Sequence, residues 1–195
     1  METLVALVAF SFVSSVTPGP NNVLLWASGA EFGLTRTVPH IVGTALGIGL
    51  MAVGAAAGIA ALVASVPGLA FTMKLGGSVY LLYLAIRIAG AHGLTRGDMA
   101  RPFGLVQAAA FQLVNPKAWI FALGAITTFR PAELPALGGS VVVAATMMLV
   151  VVPTAALWAG AGGAINGLLT NDRRRRAVSL ALAALVVATV ASVWI

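Results

Sequence analysis

The sequence predicts an all-α integral membrane protein with six transmembrane helices, and three observations support this fold class. Six apolar runs each approach or exceed the roughly 20 residues that a spanning helix needs. Of the 195 residues, 60% are hydrophobic and only 8% are charged, with a mean hydropathy of +1.03, whereas a soluble domain has about 25% charged residues. None of the runs shows the alternating pattern of a transmembrane β-strand. A soluble globular protein is therefore excluded.

The six predicted spans occupy most of the chain, at residues 4–28, 38–64, 69–89, 103–129, 136–165 and 177–195. What remains makes short connections, so residues 1–195 are predicted to form a single integral membrane domain with no extramembrane catalytic or binding domain. The first run follows Met1-Glu2-Thr3 rather than a positively charged segment. It also lacks a convincing cleavage site, so we expect a permanent span rather than a signal peptide.

The basic residues predict the orientation of the chain. Eight Lys or Arg fall in connections on one side, namely Arg36, Arg87, Arg96, Arg101 and the run Arg173 to Arg176, and only Lys74 and Arg130 fall on the other. Because cytoplasmic loops carry the excess of Lys and Arg, both termini are predicted outside. The basic residues are too scattered for nucleic acid, and we expect the arginine run to lie beside membrane lipid. Cysteine is absent, and no metal or cofactor is predicted.

A first irregular segment lies inside the first predicted span, where the sequence reads Thr17, Pro18, Gly19, Pro20, Asn21 and Asn22. Two prolines remove two backbone donors and clash with the preceding turn, so a regular helix cannot pass through. The freed backbone groups need partners in protein or in a water-filled cavity. The N–H groups after Pro20 begin a second half-helix, whose partial positive charge suits a carboxylate. A purely structural kink is the alternative interpretation.

A second irregular segment lies near the middle of the fourth span and reads Gln112, Leu113, Val114, Asn115, Pro116 and Lys117. Pro116 breaks or bends the helix. Lys117 is the only charged residue near the centre of a span, at a cost of at least about 2.5–3.5 kcal/mol. No acidic residue is available at similar depth, so the compensation could come from freed carbonyls, from water or from a bound anionic group. A structural kink is the alternative here too.

The two segments occupy corresponding positions in two halves of the chain, about 1–97 and 98–195, since Pro18 and Pro116 are 98 residues apart. Each half holds three predicted spans, and because three is odd the halves insert in opposite orientations. Broken helices at matching positions of inverted repeats indicate a substrate site at the membrane midplane. The candidate substrate-binding residues are Thr17, Pro18, Gly19, Pro20, Asn21, Asn22, Gln112, Asn115, Pro116 and Lys117.

Small residues recur at four-residue spacing in the second span, as in Gly43 with Gly47 and Gly54 with Gly58. Such residues let two helix backbones approach closely. The pattern predicts close packing, but it does not distinguish packing inside the bundle from packing between two subunits. A homodimer therefore stays open at this point.

Three ordered motifs resemble those of the LysE/RhtB family of amino acid exporters. They are the segment 17–22, the glycines Gly33, Gly43 and Gly47 with the segment 74–84, and Asn115-Pro116-Lys117-Ala118. Within the family, the segments 111–117 and 125–129 look most like the cysteine/O-acetylserine exporter branch. The resemblance implies a multi-pass transporter of the bacterial inner membrane, which exports amino acids from the cytoplasm by proton antiport.

One departure from the family narrows the expected substrate. The lysine and arginine exporters carry an aspartate after the glycines of the second span, where this chain reads Gly47-Ile48-Gly49-Leu50-Met51. A site with Lys117 and no carboxylate suits a zwitterion with a neutral side chain, of the cysteine/O-acetylserine, threonine/homoserine or leucine class. The proton carrier is unassigned, because Glu31 and His40, the nearby titratable groups, lie near the first connection.

Two other classes of function are alternatives to a secondary exporter. A passive channel for water or small solutes is the alternative, because two Asn/Pro elements in inverted halves are similar to those of aquaporins; this chain, however, has no residues for the extra half-helices. An intramembrane enzyme is disfavoured, since there are two histidines and no carboxylate within the spans.

Overall fold

The computed structural model describes residues 2–59, 65, 66, 68–90, 101–168 and 171–194. Over these residues the regular elements are helices and no strand occurs, which confirms the all-α class. They are α1 (Glu2–Val16), α2 (Pro20–Gly54, extended by a π-helical turn at Ala55–Ile59), α3 (Leu69–Gly90), α4 (Leu105–Val114), α5 (Pro116–Phe129), α6 (Ala136–Leu168) and α7 (Asp172–Trp194). His92, Arg96 and parts of the second and sixth predicted spans lie outside the described residues.

The long helix α2 reverses its direction at Gly33. This residue has φ 77° and ψ 167°, a conformation that only glycine adopts readily. Thr44 Oγ1 lies 3.2 Å from Asn21 Oδ1, although 23 residues of straight helix would rise about 35 Å. Ser28 Oγ and Thr37 Oγ1 also meet, at 2.9 Å. Residues 20–32 and 34–54 are therefore two antiparallel arms. The sequence predicted a connection between residues 28 and 38. The structure has a single non-helical residue there, Gly33.

The two predicted breaks are present. The first predicted span is divided between α1, which ends at Val16, and α2, which begins at Pro20. The fourth is divided at Asn115 into α4 and α5, which meet at an angle of 80°. The proline that begins the second half-helix is Pro20 in the first case and Pro116 in the other. The matching positions are thus 96 residues apart rather than the 98 obtained from Pro18.

By length and composition, two stretches of the described chain could cross a membrane, Pro20–Gly58 and Ala136–Ile165. The bent pair α4 and α5 would make a third. The stretch Pro20–Gly58 contains the reversal at Gly33, so it comprises the end of the first predicted span and most of the second. Three is fewer than the six spans expected from the sequence, and the count of six stays a prediction.

Close contacts between backbones hold the centre of the bundle together. A Cβ on Gly43 would overlap the Leu105 carbonyl of α4, and one on Gly47 would lie 2.8 Å from the Ala109 oxygen. Helix α6 packs equally closely on the first arm of α2, where Gly162 faces the Trp26 carbonyl. These small residues pack inside the chain, whereas a Cβ on Gly160 would have no described atom within 4 Å.

The outer helices complete two apolar clusters. Helix α1 joins α5 and α6 through Leu7, Phe121 and Met147. Helix α3 packs on α7, where Leu81 and Val186 belong to the same buried cluster. At one end of this pair the Lys74 ammonium lies 4.5 Å from the centre of the Trp194 ring.

Candidate functional site

The two breaks meet through Lys117. Its ammonium donates to the Thr17 main-chain oxygen at 2.6 Å, to Thr17 Oγ1 at 2.8 Å and to the Pro18 oxygen at 3.2 Å. Of the three kinds of compensation left open by the sequence, carbonyl oxygens freed at the first break therefore contact this charge. The lysine stem crosses Gly19 so closely that a Cβ there would lie 2.8 Å from Lys117 Cδ.

Other side chains satisfy the remaining carbonyls of the first break. Asn22 Nδ2 donates to the oxygens of Ser15 and Thr17, both at 2.8 Å. Trp158 Nε1, from α6, donates to the Val16 oxygen at 3.3 Å. Because an unpaired backbone group in hydrocarbon costs several kcal/mol, these donors stabilise the interrupted helix inside the bundle.

The second break is closed in a similar way. Asn115 is the N-cap of α5, and its Oδ1 accepts from the Lys117 backbone N–H at 3.2 Å. Pro116 occupies the first helical position, where its missing N–H costs nothing. Trp119 Nε1 donates to the Leu113 oxygen at 2.8 Å. The cap also fixes the start of the turn from which the Lys117 side chain extends.

A cluster of amide groups links the two breaks behind Lys117. Asn21 Oδ1 accepts from Gln112 Nε2 at 3.0 Å and from Thr44 Oγ1 at 3.2 Å. His40 Nε2 lies 3.4 Å from the same oxygen. Asn115 Nδ2 continues the chain of bonds to Gln112 Oε1 at 3.3 Å. These side chains are almost completely buried, so the cluster fixes the position of the first break relative to the second.

A cavity opens beside these groups, with about 430 Å³ of empty space including the part that reaches solvent. Seven of the predicted substrate-binding residues line it: Gly19, Pro20, Asn21, Asn22, Gln112, Asn115 and Lys117. Thr17 and Pro18 do not line the cavity, but their main-chain oxygens accept hydrogen bonds from Lys117. Pro116 starts α5 without lining the cavity.

The cavity also has walls that the sequence did not single out. They are formed by Ser14, Ser15, Thr44, Ile48, Ala118, Phe121, Val151, Thr154 and Ala155. Most of these come from α6 and from the second arm of α2, in apolar runs where nothing separates a lining residue from a lipid-facing one. The four-residue spacing of the α2 glycines was the one available signal, because Thr44 and Ile48 follow Gly43 and Gly47 directly.

The described lining of the cavity carries one charged side chain. Lys117 is the only ionisable side chain among the described residues that line the cavity, and no acid accompanies it. No side chain caps the start of α2 at Gly19, so the partial positive charge of that helix end also lies at the cavity. No group of His, Cys, Asp or Glu in the described part of the chain could hold a metal ion. The arrangement favours an anionic group with a small neutral body.

His40 is placed differently from the expectation. The sequence put it near the first connection, as an ordinary residue close to a helix end. Its side chain is instead fully buried, with the ring stacked on Phe103 at 5.1 Å and Nε2 directed at Asn21. The reversal at Gly33 brings it there, because it returns the second arm of α2 along the first. Glu31 belongs to the turn region and is half-buried.

Comparison with models of known protein families shows which family the chain belongs to. The family model described as LysE type translocator matches residues 12–194. The chain belongs to this family. The membership expected from the three motifs is thereby confirmed, and translocators are transporters rather than enzymes.

Similar proteins carry the name of the branch that the sequence indicated. The chain is 29% identical over 180 residues to the cysteine/O-acetylserine efflux proteins of Escherichia coli (strain K12) and Shigella flexneri, which covers 92% of each chain. It is 28% identical, over the same length, to the protein of that name from Escherichia coli O1:K1. No solved structure shows a significant match.

Proposed function

We propose that this LysE-family member is a secondary exporter of small neutral amino acids or their derivatives. It would carry them from the bacterial cytoplasm across the inner membrane in exchange for protons. The observation that carries the proposal is the central Lys117, which contacts the first break and lines a cavity without any acid. The relatives named cysteine/O-acetylserine efflux proteins support the same substrate class for this chain.

The substrate carboxylate would bind between Lys117 and the uncapped start of α2. There it would compete with the oxygens of Thr17 and Pro18 for the ammonium, so binding loosens the contact between the breaks. The carboxamides of Asn21, Asn22 and Gln112 supply further polar contacts. The side chain of the substrate would pack on Ile48, Phe121 and Val151, which are apolar. A second cation on the substrate would have no partner at this site.

Six spans in two inverted halves, 1–97 and 98–195, are part of the proposal. In this arrangement α1 with the first arm of α2 forms one span and α4 with α5 forms its counterpart. The packing supports the pairing, because α4 lies along the second arm of α2 and α1 lies along α6. In the proposed repeat α4 corresponds to α1, and α6 corresponds to the second arm of α2. The two contacts are therefore equivalent under exchange of the halves. Both termini would lie outside, following the distribution of Lys and Arg.

Transport would follow from movement of one half against the other. The bonds from Lys117 to Thr17 and from Gln112 to Asn21 each join the first half to the second. Such bonds differ between an open and a closed site, and a substrate that replaces some of them biases the equilibrium between the two states. The rocking of repeats around a midplane site is the usual form of alternating access.

The passive channel is not favoured by the family, since the matching family model describes translocators. The test of the proposal is efflux from proteoliposomes preloaded with labelled cysteine, O-acetylserine, threonine, leucine, lysine or arginine, with and without a proton gradient. We expect gradient-dependent release of a neutral member, while lysine and arginine are retained. Release that is independent of the gradient and unselective would support the channel and contradict the proposal.

A further inference from the structure

Behind the cavity, His40 carries a buried nitrogen that nothing in the described chain uses. Nε2 faces Asn21 Oδ1 at 3.4 Å, and because that oxygen only accepts, Nε2 carries the hydrogen. Nδ1 then presents a lone pair, and it has no hydrogen-bond partner. Buried polar atoms are nearly always paired, so an unpaired ring nitrogen next to a substrate site requires an explanation.

We propose that His40 is the proton-binding residue of the exporter, and that the Asn21 carboxamide couples the proton to the substrate. This inference rests on the proposed function and assigns a residue to its coupling step. A proton taken from the outside water adds to the Nδ1 lone pair, forms an N–H bond and leaves a positive charge on the imidazole ring. The same proton is released to the cytoplasmic side when the site opens there.

The coupling follows from the contacts of Asn21. A charged imidazolium donates more strongly to Asn21 Oδ1 than the neutral ring does. That oxygen already accepts from Thr44 and Gln112, and it is an acceptor within reach of a substrate ammonium group in the cavity. Protonation therefore withdraws the acceptor and adds a like charge beside the ammonium group. Proton and substrate would exclude one another, as antiport requires.

The surroundings leave few other groups for this role. Helices α4 and α6, which pack on α2, contain no ionisable side chain. Helix α5 contributes Lys117, and α2 itself contributes Glu31 and Arg36. The segment that carries Phe103 contributes Arg101, which is exposed, and α7, which also contacts α2, begins with Asp172 and Arg173 to Arg176. Lys117 donates to the oxygens of the first break, and the proposed function needs its ammonium charged to hold the substrate carboxylate. Arg36 is exposed, Glu31 is half-buried at the turn, and neither is hydrogen-bonded to the amide cluster. His40 is the titratable group that touches that cluster through a side chain.

The test begins with labelled histidine, because the chain holds only two histidines, His40 and His92. In the H92Q variant, nuclear magnetic resonance of ring-labelled histidine reports His40 alone, with the residue itself unaltered. We expect His40 to take up a proton as the pH is lowered in a titration from about pH 8 to pH 4, and 10 mM O-acetylserine to shift the ring toward the neutral form. A ring that keeps one protonation state throughout, with and without O-acetylserine, would overturn the assignment.

A transport assay is the second part of the test. Liposomes loaded with labelled O-acetylserine are diluted into buffer of equal pH or of pH one unit lower. The rate ratio of the two conditions should exceed about threefold for the wild type and for H92Q, the matched histidine control, and fall to about one for H40Q. A wild-type ratio of one refutes proton coupling itself. A wild-type ratio above threefold that H40Q retains refutes the role of His40 alone. If H40Q shows no efflux at either pH, the resonance experiment decides.

Discussion

Lys117 Nζ lies 2.6 Å from the main-chain oxygen of Thr17, although the two residues are 100 positions apart. One belongs to the first turn of α5 and the other to the gap between α1 and α2. Each is costly in hydrocarbon by itself: an ammonium group without a counter-charge, and a carbonyl without a helical partner. Their contact offsets both costs. It also places the one charged side chain among the described lining residues where the two halves of the chain meet.

The absence of a carboxylate from the cavity predicts a change of specificity. Ile48 lines the cavity and is nearly buried, so I48D would place an acid there. We expect I48D to bind lysine and arginine at least tenfold more tightly than the wild type, because the new charge pairs with the second cation of the substrate. Binding to purified protein in detergent measures it.

The variant I48N is the matched control, since it has nearly the same shape and no charge. It should bind lysine no better than the wild type. An equal gain in I48N, or no gain in a folded I48D protein, would count against a neutral substrate selected by the missing acid.

The contact of α2 with α4 predicts a sharp difference between glycines. G43A forces a methyl group into the Leu105 carbonyl and within 2.8 Å of the Ala108 side chain. We expect this variant to have a free energy of unfolding about 1–3 kcal/mol lower than the wild type, because over-packing an interior is destabilising. The added methyl group of G160A has no described atom within 4 Å. The higher helix propensity of alanine should raise the free energy of unfolding by up to about 1 kcal/mol.

Thermal unfolding of the two variants in the same detergent tests this difference. Equal midpoints for G43A and G160A would show that the second arm of α2 does not pack on α4 as described. A lowered midpoint for G160A alone would indicate a contact on the outer face of α6, such as a second copy of the chain.

The cap at the second break predicts a graded series. N115A removes the acceptor for the Lys117 N–H and the donor to Gln112. The lost cap should cost about 0.5–2 kcal/mol. N115S keeps a capping oxygen and should recover about 1 kcal/mol of this loss. Chemical unfolding in mixed micelles measures the series, and equal destabilisation by the two variants would contradict the capping role.

Much of the site could be predicted because helix-breaking residues have local consequences. Pro18 with Pro20, and Pro116 with the capping residue Asn115, coincide with helix ends, whereas the lone Pro39 and Pro153 lie inside helices. A lysine in an apolar run is conspicuous as well. The partner of Lys117 was open among three kinds, because the choice depends on the distance between two helices. That distance is set by packing at positions such as Gly47, whose neighbour is not encoded locally.

The role of α2 was harder to predict for the same reason. A single glycine with positive φ reverses the chain at Gly33, where the sequence indicated a connection of about nine residues. Because the turn is shorter than expected, His40 lies about two helical turns into the second arm, beside Asn21, rather than at a helix end. The indole of Trp119 donates to the Leu113 oxygen across the 80° bend between α4 and α5, a contact that no local sequence pattern indicates.

The measurement that tests the central claim most directly is counterflow of O-acetylserine in liposomes, which needs no proton gradient. The variants are K117M, at the centre of the site, and K74M, whose lysine lies over Trp194 away from the cavity. A lost charge-assisted contact of about 1.5–3 kcal/mol lowers affinity by roughly tenfold to a hundredfold. We therefore predict uptake at least tenfold slower in K117M and within twofold of the wild type in K74M. Counterflow at the wild-type rate in K117M would contradict a carboxylate site at Lys117.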